Sequence, residues 1–217
     1  MKIKDTAIVL NAVKYSDSKN IVKLYGLQSG VISLIANVSS SKSSKIKPSV
    51  LSPLNIVEID FDSKENRNIN SLLEANTQYV YQSIHNDLNK LSVFQFLREV
   101  LNTTLVEESK NSELFFFIID SLKEFDQNTV KIGNFHLRFM LQLIEYFGFS
   151  PSNNYSDVNR FFDCLEGKFE PIEKAYPIGL NEPQSKVIHY LLSSDNTRSL
   201  SNNEKQNALE GILAYYS

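Results

Sequence analysis

The residues best able to do chemistry are few and scattered. His85, His136 and His189 fall on three separate helix-like segments, so none can share a helical turn with another to hold a metal or relay a proton. Cys164 is the single cysteine, which excludes an intramolecular disulfide and any Cys-rich zinc site. It also lacks the local signature of a nucleophile, and a buried structural role is the simpler expectation. The seven glycines form neither GxGxxG nor GxxxxGK[ST], and neither HExxH nor a nucleophile elbow occurs. Asp60 and Asp62 share one strand face, where solvation is the default. No grouping supplies a nucleophile, a base and an orienting group together, and a nuclease would need clustered acids that are missing. The expectation is a protein that is not an enzyme and carries no cofactor or metal.

What the sequence does concentrate is positive charge. The net charge of −3, from 22 basic and 25 acidic residues, hides a split. Residues 1–50 hold eight lysines against two acids, Asp5 and Asp17, and the remainder is correspondingly acidic. Such a split points to a polyanionic partner for one part of the chain. Lys14 and Lys19 flank a first turn, and Lys23 stands beside Tyr25 on a second strand. Lys42, Lys45 and Lys47 stud a serine-rich loop, and Lys64 and Arg67 mark a later one. Each phosphate neutralised by such a group releases counterions, and serine hydroxyls add donors to phosphate oxygens. Only Tyr15 and Tyr25 are interleaved as aromatics, so backbone electrostatics should outweigh base stacking and sequence preference should be weak.

The elements that must carry these residues change type along the chain. Thr6–Val13, Ile21–Leu27, Val31–Val38, Leu54–Phe61 and Ile69–Tyr79 read as strands separated by polar turns. Five short strands suit a small barrel of the OB type, which binds single strands along one face. From residue 83 to 147 apolar residues recur at helical spacing: Leu91, Phe94, Leu97, Leu101, Leu105, then Phe115, Ile118, Ile119, Leu122, Phe125. Asn134–Phe147 is apolar nearly all round, predicting a buried central helix that stops at Gly148 with Pro151 beyond. Residues 149–181 are irregular, with a short hairpin around Glu166-Gly167, and two helices follow at Pro183–Leu192 and Asn202–Tyr216. The class is α+β: an OB-type barrel domain over 1–81 and an all-helical domain over 82–217. Composition, 42% hydrophobic and 22% charged, is that of a packed soluble protein. The start MKIKDTAIVL has no leader-like apolar core, and Leu114–Ile119 is too short to span a bilayer, so a cytoplasmic protein without membrane contact is expected.

These segments resemble a known family. Thr6–Leu10 (TAIVL), Tyr15–Leu24 (YSDSKNIVKL), Ser29–Ser33 (SGVIS), Lys42–Lys45 (KSSK) and Ser52–Leu54 (SPL) are similar to the amino-terminal half of RecO. Phe135–Pro151 (FHLRFMLQLIEYFGFSP) resembles that family's long central helix and its stop. The resemblance implies a bacterial recombination mediator that binds single- and double-stranded DNA and anneals complementary strands. It implies work with RecR, in some bacteria also RecF, to load RecA onto DNA coated by single-stranded-DNA-binding protein. The acidic carboxy-terminal tail of that coating protein would dock on the helical domain. A cation beside an apolar groove suits such a tail, and Arg138 and Arg98 are the arginines on strongly apolar helices. Either could instead snorkel to solvent or pair with Glu99 or Glu145. The remaining alternative is an interaction adaptor whose barrel binds protein rather than DNA.

Two departures from the family pattern stand out. Many members carry four zinc-binding cysteines after the central helix, where residues 153–170 hold only Cys164. Packing of Phe161, Phe162, Leu165 and Phe169 is expected to replace the metal in this degenerate hairpin. The loop after the third strand, often arginine-rich in the family, carries lysine here, which keeps the charge but loses bidentate phosphate geometry.

Overall fold

The computed structural model describes residues 1–63, 69–106, 110–127, 132–193 and 198–216. The chain divides into two compact units, Met1–Gln127 and Asn128–Ser217. Alternating apolar residues fold the first part of unit one into strands β1 (Lys2–Lys14), β2 (Lys19–Gly26), β3 (Gly30–Asn37), β4 (Ile56–Asp62) and β5 (Asn70–Thr77). They close into a barrel in the order β1-β2-β3-β5-β4. The long β1 pairs with β2 through its second half and with β4 through its first, and an irregularity between Val9 and Asn11 lets it bend between the two. Closure depends on a short parallel pairing of β3 with β5: Leu34 with Asn70, Ile35 with Ser71, Ala36 with Leu72. Inside, Ala7, Val9, Val22, Leu24, Leu34, Ala36, Val57, Ile59 and Phe61 form the core. Strand periodicity puts them there, because every second side chain faces inward. The strands and the barrel are those that the sequence predicts.

Two helices complete unit one, α1 (Leu88–Thr104) and α2 (Ser112–Gln127). The carboxylate of Asp87 caps α1 by accepting from the N–H groups of Asn89 and Lys90. Phe94, Leu97, Leu101 and Leu105 are buried, as are Phe115, Ile118, Ile119, Leu122 and Phe125 on α2. The helices cover part of the barrel's outside. α1 packs against β1, and Phe115 sits 5.9 Å from the ring of Tyr25 on β2. Ile8, Leu10 and Tyr25 are therefore buried although they face away from the barrel core.

The connection from barrel to α1 is fastened to α2 by one carboxylate. Asp126 is 1% exposed. It accepts from the N–H groups of Gln82, Ser83 and Ile84 and from the hydroxyl of Tyr79 at 2.9 Å. Burial alone would raise its pKa, but these donors outweigh burial and hold it below the usual carboxylate value. The buried amine of Lys90 donates to the Ser83 hydroxyl at 2.6 Å and to the Asp126 backbone carbonyl at 2.8 Å.

Unit two is built on α3 (Phe135–Leu143), α4 (Glu182–Leu192) and α5 (Asn202–Tyr215). The central segment is α-helical only to Leu143; Ile144–Phe147 tighten into a 3-10 turn before Gly148, at φ 88°, ends it. The single helix expected over 134–147 thus becomes a helix with a narrower last turn, a common way to satisfy terminal carbonyls. Capping boxes start both later helices, Asn181 with Gln184 and Ser201 with Glu204. The expected hairpin is present as β6 (Phe161–Asp163) and β7 (Lys168–Glu170). Phe162 and Phe169 are buried 5.1 Å apart, and Phe162 meets Tyr215 of α5 edge-on at 5.5 Å. Gly167, at φ 63°, lies so close to the Tyr215 hydroxyl that a Cβ would approach it to 2.7 Å. Leu165 is not part of this packing: it sits at the turn between the strands, 73% exposed, and Phe161 is only half-buried. The buried carboxylate of Asp163 does further fastening, accepting from the N–H groups of Leu165 and Glu166 and pairing with Lys174. Burial pushes the Cys164 thiol up to about 11, the adjacent Asp163 adding to it, so it stays protonated at neutral pH. No described helix is long and apolar enough to cross a membrane.

Candidate nucleic-acid interface

The lysines singled out in the sequence gather at one end of the barrel, with exceptions that matter. The turn from β1 to β2 is tight, with the N–H groups of Tyr15 and Ser16 both donating to the Lys19 carbonyl. It exposes Lys14 and Lys19. The loop after β3 lies against this turn, because the N–H of Val38 donates to the Ser18 carbonyl at 2.8 Å and Lys19 pairs with Asn37. Lys42, Lys45 and Lys47 on that loop are exposed. Five cations thus share the mouth.

A residue that the sequence reading passed over positions three of them. Ile46, between Lys45 and Lys47, is buried in the barrel core. Its carbonyl accepts from the N–H of Ser39 at 3.2 Å and from the Ser44 hydroxyl at 2.8 Å, closing the loop on itself. The signal was present as a lone isoleucine in a run of serine and lysine, and chain alternation then turns its neighbours outward.

The five cations are not equally available. Lys14 pairs with Asp17 at 3.3 Å, and Lys45 with Glu74 at 3.7 Å. Lys19, Lys42 and Lys47 form no ion pair among the described residues. Exposed pairs are weak and exchange readily with a stronger anion such as phosphate.

Two expected contact residues are used inside the protein instead. Tyr25 is fully buried, its ring against Phe115 and its hydroxyl donating to the Asn111 carbonyl at 3.2 Å. Its ring is closed to bases, because α2 lies over this part of β2. Lys23, two residues earlier on the same outer face, is half-buried and donates to the Asn102 carbonyl at 3.1 Å. Lys64 and Arg67 lie outside the described residues. The aromatic left at the mouth is Tyr15, 65% exposed.

Exposed lysines thus gather at the mouth of a five-stranded barrel that is followed by helices. A family model described as recombination protein O N terminal matches residues 1–81, and one described as recombination protein O C terminal matches residues 85–217. The chain belongs to the RecO family. It is 33% identical over 220 residues to the DNA repair protein RecO of Flavobacterium psychrophilum, covering all of this chain and 92% of that protein. It is 31% identical over 221 residues to the RecO of Flavobacterium johnsoniae, again over all of this chain and 92% of the relative. The RecO of Porphyromonas gingivalis matches at 30% over 224 residues, 100% of this chain and 91% of its own.

The two arginines considered for a partner tail both hold neighbours. Arg138, in unit two, donates to the carbonyls of Leu191 and Ser193 at 2.9 and 3.1 Å and lies 5.6 Å from the Tyr190 ring. A cation there answers the negative end of α4. Arg98, in unit one, reaches Gln95 at 3.4 Å and Glu99 at 3.8 Å. Among the described residues no group of three His, Cys, Asp or Glu side chains could hold a metal ion.

Proposed function

We propose that the chain serves DNA repair and recombination as a mediator that anneals complementary strands. In this reading it works with RecR, and with RecF in bacteria that use it, to load RecA onto single strands coated by single-stranded-DNA-binding protein. The observation that carries the reading is the set of exposed lysines at the barrel mouth, with Lys19, Lys42 and Lys47 unengaged among the described residues. Family membership supports it. Annealing is downhill once phosphate repulsion is screened, so it requires placed cations and no nucleotide hydrolysis. The acidic tail of the coating protein would meet the helical region near Arg138 or Arg98, sharing each with the partners it already holds. Such a protein acts in the cytoplasm, where its DNA is.

Strand annealing and DNA binding measured across salt concentrations test the mechanism. Affinity should fall steeply between low and moderate salt. Binding indifferent to salt would overturn it. If exchanging Lys42, Lys45 and Lys47 for glutamate spared DNA affinity but weakened RecR binding, the adaptor reading would replace it.

A further inference from the structure

In unit two, the segment after β7, the first turn of α4 and one residue of α5 line a cavity of about 470 Å³. Its walls follow from local bonding. The N–H groups of Ile178 and Gly179 both donate to the Ala175 carbonyl, closing a turn. That turn lays Lys174 across Gly179 so tightly that a Cβ at Gly179 would meet the Lys174 carbonyl at 2.8 Å. The Lys174 amine is taken by the buried carboxylate of Asp163. At the start of α4, the side-chain oxygen of Gln184 accepts from the Asn181 N–H at 3.3 Å, which fixes the other end of that carboxamide as the nitrogen. The nitrogen donates to one oxygen of Glu210 at 3.4 Å, and Gln206 donates to the other at 3.2 Å. Glu210 is thus held in place by neutral amides and keeps its charge.

Two charges and one buried donor in this cavity are unanswered. Nearby, Asp163 holds Lys174, Glu166 and Glu170 share Lys168, and Glu182 holds Lys186. Glu173 and Glu210, which both line the cavity, form no ion pair among the described residues. Gln184 is only 7% exposed, and a carboxamide nitrogen carries two hydrogens. One goes to Glu210, and the second has no acceptor among the described residues. Tyr176, also in the lining, is 62% exposed. We propose that this cavity receives an arginine side chain of a partner protein. Glu173 and Glu210 take the guanidinium, Tyr176 flanks it, and Gln184 donates to a backbone carbonyl of the arginine. A guanidinium offers five donors in a fixed fork that two carboxylates can share, and its plane stacks on aromatic faces. A cavity of this size holds such a side chain with part of its backbone. A free polyamine carries cations but no carbonyl, so it would leave the buried donor unanswered. The site is chemically the opposite of the barrel mouth and does not rest on the DNA-binding reading.

The test titrates N-acetyl-arginine amide into the full chain and follows the side-chain amide signal of Gln184 by NMR. That signal should shift saturably. N-acetyl-citrulline amide, of the same shape without the charge, should bind at least tenfold more weakly. Glu173→Gln and Glu210→Gln should each weaken the arginine compound about tenfold, the loss of one hydrogen bond between charged groups. Strand annealing by both variants should match the parent, since neither residue lies on the barrel. An unmoved Gln184 signal, citrulline binding equal to arginine, or affinity unchanged in both glutamine variants would overturn the site. Spermidine binding more tightly than the arginine compound would overturn a protein side chain as the occupant. Loss of salt-dependent DNA binding in the parent would count against the DNA reading alone.

Discussion

Around Asp126, three backbone N–H groups and a tyrosine hydroxyl surround one buried carboxylate, whereas Lys19, Lys42 and Lys47 stand in solvent with no ion pair among the described residues. Both regions belong to unit one. At the junction, polar groups have been taken out of water, so each must find a partner inside the protein or the fold loses several kcal/mol. At the mouth, water satisfies the lysines until a ligand replaces it, and the fold gains little from them. Charge that is answered internally specifies structure; charge left to solvent is available for recognition. Lys23 shows both uses on one strand, since it faces outward with Lys19 yet donates to a helix carbonyl.

This contrast can be broken from either side. The largest effect is expected for Asp126→Ala, which strands the N–H groups of residues 82 to 84 and the Tyr79 hydroxyl. Urea unfolding should show a loss of about 3–5 kcal/mol, typical of one partner removed from a buried charged network. Glutamate at Lys42, Lys45 and Lys47 should do the reverse. Single-strand affinity in a low-salt titration should fall roughly a hundredfold, with unfolding stability changed by no more than about 0.5 kcal/mol. A large stability loss there would erase the distinction.

Acid sharpens the comparison through unit two. Burial, with Lys205 adding to it, lowers His136 from 6.5 to about 4. The unfolded chain then takes up the proton first. His136's share of stability is complete above 6.5 and is lost as pH falls toward 4, by up to roughly 1.4 kcal/mol per pH unit. His136→Gln should flatten that window in urea titrations at stepped pH. Asp126, held below 3.8, contributes above that value and loses its contribution only as pH drops further. The smallest effect is expected at the exposed turn of the second unit: Leu165→Ser should change stability by no more than about 0.5 kcal/mol in the same assay.

Much of the fold was legible because its signals are local. Val57, Ile59 and Phe61 alternate with Glu58, Asp60 and Asp62, and that alternation alone places them inside and outside a barrel. The stripe from Phe115 to Phe125 likewise announces one face of a helix. The site was legible as a cluster of charges but not residue by residue. Tyr25 and Tyr15 look equally available in a sequence, and their fates diverge because Phe115 and Asn111, some 90 residues away, cover one and not the other. Leu165 misled for a related reason. It is apolar and sits among buried phenylalanines, but the hairpin puts it at the turn, where no neighbouring strand covers it. Long-range covering of this kind has no periodicity to betray it.

Ile46 has a kinetic consequence. A loop of serines and lysines left free between two strands would sample many shapes, and each cation would have to be immobilised when DNA arrived. With Ile46 seated in the core and Ser39 bonded to its carbonyl, the loop is closed before any encounter. The entropy of ordering it is lost during folding rather than during binding. Freeing it, by replacing Ile46 with a polar residue, would leave every lysine in place and yet slow capture, because a preorganised loop meets its ligand without first having to find its shape.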